Sequence, residues 1–300
     1  MHPIILAAFV VSRIPTAMCA AGIVLFLIGI MAAKSDIAGA RGLDKIVALS
    51  NLCFAVPLAV FGALHLAAPQ GLLGGVPQYM PWRMFWVYFV GFALIAASLS
   101  IATKIAVRWA ALLFGLMMFL FVATIHFPGA LQKTHDRILW TIVFRESSFG
   151  GAAWVLAGSA MSEWRGRGKT TLITIGRVLI ALAAIFFGIE HFLHPLGLPG
   201  VPLPRLMATW VPGRVVIDYV TGAGLVVTGA CILLNRKAQT ATTWLGSWLL
   251  LLILVIYGPV LIGGLADPGT AAQIEGIDYF ADTLLFTSEF LVLARALRRP

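Results

Sequence analysis

Proton-carrying and hydrogen-bonding side chains stand at helical spacing in a chain that is otherwise apolar. Asp278, Asp282 and Glu289 fall at i, i+4 and i+11, close to one helical face. Glu190 and His194 share another face at i, i+4, with His191 alongside. Carboxylates and imidazoles so placed can take up and release protons, which makes Glu190, His191, Asp282 and Glu289 the candidate catalytic residues. A second set could donate hydrogen bonds to the carbonyls of an apolar ligand: His65, Arg83, Tyr88, His126, Arg214 and Tyr219 are the candidate cofactor-binding residues. A charge at the centre of a bilayer costs roughly 2.5–3.5 kcal/mol on insertion scales, so residues of this kind default to functional roles. The simpler alternative is that His65, Tyr88 or Asp218, taken singly, snorkel to an interface and do nothing more.

Other chemistries find no support. His191-Phe192-Leu193-His194 beside Glu190 offers metal ligands, but Pro195 follows directly and the spacing matches neither a di-iron bundle nor a zincin. No metal is expected. The three cysteines, Cys19, Cys53 and Cys231, border or lie in apolar segments and include no C-x-x-C pair, which disfavours thiol–disulfide exchange. No phosphate-binding loop, nucleophile elbow or dinucleotide fingerprint occurs. The net charge of +9 is scattered over short loops, a pattern of membrane topology and not of nucleic-acid binding.

The elements that must position these residues are membrane helices. Apolar residues make up 60% of the chain and charged ones 11%, and continuous apolar runs such as Ala106–Phe127 are about 20 residues long. Helices satisfy every backbone polar group in lipid, so an all-α polytopic protein follows. Nine spans are expected: about Pro15–Ala33, Ile46–Ala68, Met84–Thr103, Ala106–Phe127, Ser147–Met161, Leu172–Phe192, Val215–Leu234, Thr242–Leu265 and Ile277–Leu297. The first segment could also be read as a signal peptide ending near Ala38-Gly39-Ala40, but its start is not basic and a retained helix is preferred.

Eight of the spans form a duplication. Phe61-Gly62-Ala63-Leu64-His65 with Pro69 returns as Phe187-Gly188-Ile189-Glu190-His191 with Pro195, at an offset of 126 (61 to 187). Downstream, Pro81, Arg83, Tyr88 and Gly91 return as Pro212, Arg214, Tyr219 and Gly222, at an offset of 131 (81 to 212). The five extra residues belong to a Pro/Gly-rich loop, where length changes are tolerated. Three parts are expected: an extra N-terminal helix (1–42), a first four-helix unit (43–165) and a second (166–300). Basic clusters at Lys34/Arg41/Lys45, Lys104/Arg108, Arg165/Arg167/Lys169, Arg236/Lys237 and Arg295/Arg298/Arg299 alternate with loops poorer in charge. The positive-inside rule then puts the N-terminus outside and the C-terminus in the cytoplasm of a cell (inner or plasma) membrane, with the two units parallel. The loops Ala68–Trp82 and Leu193–Pro212 should fold back as lids over an outer-facing pocket. At the positions matching Glu190, Asp282 and Glu289 the first copy has Leu64, Gly151 and Gly158, so the second copy is expected to carry more of the chemistry.

The order Gly62, His65, Pro69, then Tyr88 and Gly91, then His126 and Pro128, repeated with Tyr257 in place of the last histidine, resembles the DoxX/DoxD-like membrane proteins. The resemblance implies a four-helix membrane unit associated with sulfur oxidation or thiol-linked redox complexes that feed quinone. Three functions stay open at this point. The first is the membrane subunit of a quinone-linked redox system, with quinone held in an apolar slot by the histidines, tyrosines and arginines above. The others are a small-solute or lipid transporter or binder, and an assembly partner without chemistry. Whether the chain is an enzyme stays open too.

Overall fold

The computed structural model describes residues 11–161 and 167–298, with Arg167 and Lys169 described in their backbone alone. The expected boundary at 165/166 and the basic residues Arg165 and Arg299 lie outside the described residues. Among those residues the fold is helical without a strand, and nine helices are long: α1 Arg13–Gly39, α2 Ser50–Ala67, α3 Arg83–Thr103, α4 Val107–Gln132, α5 Arg137–Ser159, α6 Arg167–Leu193, α7 Arg214–Leu233, α8 Ala238–Ala266 and α9 Thr270–Ala296. Seven of them are long and apolar enough to cross a membrane; α5 and α9 are the two that are not. Phe26, Met31, Phe92, Leu113, Val227 and Leu254 stand exposed on the bundle, as lipid-facing residues must. The chain therefore has the build of a multi-pass membrane protein.

The polarity of α5 and α9 has a physical reason. They pack against each other in the middle of the bundle, and α9 is buried without interruption from Ala281 to Ala294. A helix walled by protein needs no apolar outer face, so it can carry Asp282, Ser288 and Glu289. Around this central pair, α5 packs on α6 and α9 packs on α2, so each links the first copy to the second. At the α5–α6 crossing Gly151 and Gly176 let the backbones touch; a Cβ on either would meet the other's carbonyl. Helix α1 lies against α2, with Met18 fully buried. The expected start of α5 at Ser147 is too late: Asp136 accepts from the Ile138 N–H (3.0 Å) and caps a helix that begins at Arg137.

Backbone details recur at the offset seen in the sequence. Left-handed residues Trp82, Lys104 and Ala106 have counterparts Gly213, Asn235 and Lys237, each 131 residues later. Both α4 and α8 contain a π-turn, Val122–His126 and Ile253–Tyr257, again 131 apart. Each precedes a proline, Pro128 or Pro259, which lacks the N–H that an α-helix would use and so forces the ladder out of register. Gly62 meets Gly91 as Gly188 meets Gly222. Arg83 donates to the Val76 carbonyl (3.0 Å) and Arg214 to the Met207 carbonyl (3.2 Å), so each arginine ties down the loop before it.

The two loops differ. No residue of 68–82 is buried, and Tyr79 and Trp82 are largely exposed. The longer loop of the second copy dips inward, and residues 198–202 are all buried. A bridge between Gly197 and Leu206 closes its neck. Gly200 sits at its tip with φ +119°, a conformation that suits only glycine, against Thr283, Leu249 and Phe286. The expected lid is thus a plug in the second copy and an open rim in the first.

Candidate functional site

The plug is held by the second copy's own polar residues. Nε2 of His191 lies 3.0 Å from the Gly200 nitrogen and 3.2 Å from the Gly200 carbonyl oxygen; in the tautomer protonated on Nδ1 it accepts from the Gly200 N–H. The ring proton then belongs on Nδ1, 3.2 Å from Asp218 Oδ1, although this contact falls short of hydrogen-bond geometry. Asp218 uses its other oxygen to accept from the Leu196 N–H (2.7 Å). Tyr257, at the end of its π-turn, donates to the Pro199 carbonyl (2.8 Å). His191 and Tyr257 therefore grip the two sides of one peptide group, Pro199–Gly200. Glu190 stands 3.4 Å from Arg137 and 3.7 Å from His194, and Arg137 also donates to the Pro202 carbonyl (3.1 Å). His191 and Glu190 are thus occupied in fastening the loop.

In the first copy the same region is an open cleft of about 640 Å³. Its walls are apolar, among them Leu58, Phe61, Val90, Phe114, Met118 and Phe149, and Leu64 lies where the second copy has Glu190. Its polar side carries His65, His126, Arg145, Glu146, Asp278 and Asp282. His65 corresponds to His191 and His126 to Tyr257, and both histidines line the cleft. Nδ1 of His65 is 2.8 Å from the Phe61 carbonyl, which can only accept, so the proton is on Nδ1 and Nε2 is left as an acceptor in the neutral ring.

The acids of the second copy reach this cleft because α9 crosses beside α2. Arg145 bonds Glu146 (2.8 Å) and stands 3.2 Å from Asp282, joining α5 to α9, while its guanidinium lies 5.9 Å from the centre of the Phe149 ring. Glu289, deeper along the same seam, accepts from the Ser148 hydroxyl (2.9 Å). One oxygen each of Asp278, Asp282 and Glu289 is buried without a partner. At the other end of the seam, Asn51, Lys104, Arg108, Ser159 and Arg295 line a polar cleft of about 490 Å³. Among the described residues no cluster of three or more His, Cys, Asp or Glu could hold a metal ion.

The candidate residues thus separate. His65, His126 and Asp282 share the cleft, and Glu289 lies further along the seam. Glu190 and His191 hold the plug; Arg83 and Arg214 hold loop carbonyls. Tyr88 and Tyr219 are exposed on the outside of the bundle, Tyr219 stacked on Phe192 at 5.7 Å. Arg177 bonds Asn235 (2.8 Å) and not the acids singled out in the sequence. Two roles had escaped it. Arg145 as the clamp could be suspected from its Arg-Glu pair inside an apolar run, and Tyr257 as the plug's anchor from its place opposite His126.

In comparison with known proteins, the sequence matches no family model and no curated protein, and the fold matches no solved structure.

Proposed function

We propose that the chain is a tandem pair of parallel DoxX/DoxD-like four-helix units with one extra N-terminal helix. It sits in the cell membrane, N-terminus outside and C-terminus cytoplasmic. It acts as the membrane subunit of a quinone-linked redox system, and the ligand head lies in the cleft of the first unit. The carrying observation is the combination in that cleft: apolar walls at one side, two histidines and four carboxylates at the other. A quinone-class molecule is an apolar ring with oxygen atoms at opposite edges, so it suits a slot of this size and polarity. His65 and His126 would orient the oxygens, and Asp278 and Asp282 would exchange protons with them. Offsets of 131 shared by left-handed residues and π-turns support the duplication.

The test is binding by the purified full chain in lipid nanodiscs, followed by quenching of intrinsic tryptophan fluorescence. Saturable binding of a decyl-chain benzoquinone or benzoquinol is expected; binding of neither would sink the reading. Transport is the second reading, favoured by the polar clefts at both ends of the α5–α9 seam with the Ser148–Glu289 pair between them. It requires proton-coupled uptake that Glu289→Gln abolishes in reconstituted vesicles.

A further inference from the structure

The second unit shows what its own interior binds, because the chain supplies the occupant. The occupant is one peptide group, with a carbonyl accepting from Tyr257 (2.8 Å) and an N–H donating to His191 Nε2 (3.0 Å). The corresponding residues of the first unit, His126 and His65, line the open cleft. The match extends to the tautomer. His191 turns Nδ1 to Asp218 (3.2 Å) and accepts from Gly200 in the Nδ1-protonated tautomer, and His65 carries its own proton on Nδ1, donating to the Phe61 carbonyl (2.8 Å). In the first unit Val87 stands where Asp218 would be, so the backbone carbonyl has taken over the same task. Both histidines therefore present an accepting Nε2 to whatever lies between the helices.

We infer that the first unit's cleft prefers the reduced, hydroxyl-bearing form of its ligand, with a ligand O–H donating to His65 Nε2 and an oxygen at the far edge turned to His126, as the plug's N–H and C=O are turned to His191 and Tyr257. The inference rests on the quinone-class reading and adds a direction to it. A quinone has acceptors at both edges, so it leaves His65 Nε2 facing another lone pair unless the ring gives up its bond to Phe61. A quinol supplies the donor at one edge and can still accept at the other. A polar contact made by one form and denied to the other is the usual source of such selectivity.

The experiment compares three probes on the unaltered full chain in nanodiscs at about pH 8, where an ordinary imidazole is neutral. They are a decyl-chain benzoquinol kept anaerobic, the corresponding quinone, and the dimethyl ether of the quinol, which keeps the ring but has no donor. The quinol should bind about tenfold or more tighter than either of the others, the change one hydrogen bond makes. In His65→Phe the three should bind within about twofold of one another, a spread too small for a hydrogen bond. Quinone bound as tightly as quinol, ether bound as tightly as quinol, or a preference that survives His65→Phe would each overturn the inference while leaving the ligand class intact. Binding of none of the three would remove both. The ether comparison needs no variant, so it decides the matter even if His65→Phe fails to fold.

Discussion

Arg145 brings a positive charge into the seam between α5 and α9, where Glu146 and Asp282 meet it. Removing one member of a buried pair leaves the other uncompensated, a loss of about 3–5 kcal/mol, whereas replacing both by apolar groups of similar volume costs far less. Arg145→Met should therefore lower the unfolding temperature in detergent strongly, and Arg145→Met with Asp282→Leu should recover part of it. A double variant that loses less stability than the two single losses added together is the signature of direct coupling. The sequence made the acids legible, since Asp278, Asp282 and Glu289 lie at helical spacing in an apolar run. Their partner was not legible, because Arg145 belongs to the other copy and to a helix that seemed to start at Ser147. The same limit applies to Tyr88 and Tyr219. They recur at matched positions, but periodicity does not distinguish a face turned to the core from one turned to lipid when both are apolar.

The longer loop is the element in which the two copies have diverged most. Its five additional residues were legible as a change of offset, but not its path into the bundle, which depends on His191, Asp218, Tyr257 and Arg137 acting from four separate helices. Gly200→Val tests that path. The substitution is strained at φ +119° and adds bulk against Thr283 and Phe286, so the tip should leave the bundle. Amide exchange at residues 196–207 should then rise by orders of magnitude, with α1 and α2 unaffected. The glycine pair at the α5–α6 crossing gives a second test. Gly176→Leu would drive a side chain into the Gly151 carbonyl, forcing α5 and α6 apart. Loss of folded yield is expected from it, while Gly263→Leu, at a site with open space around it, should be tolerated.

At the scale of the molecule, the order of helices in the chain is not the order in which they pack. The last helix, α9, lies against α2, and α5 of the first copy lies against α6 of the second. Neither copy is closed by its own residues alone. A chain ended before Thr270 should fail to accumulate, and a separately expressed segment containing α9 should restore it if the packing is as described; membrane fractionation with immunoblotting reads both outcomes. Seven of the nine long helices were legible from their apolar runs, and α5 and α9 could be found despite their charges because the sequence motifs repeat. What joins the copies was not, since contact between distant segments leaves no mark in a single sequence. The late arrival of α9 also sets a clock. Asp282 is synthesised 137 residues after Arg145 (145 to 282), roughly 7–27 s at elongation rates of about 5–20 residues/s. For that interval the nascent guanidinium has only its neighbour Glu146 as a carboxylate partner, and the clamp closes only when the final helix packs.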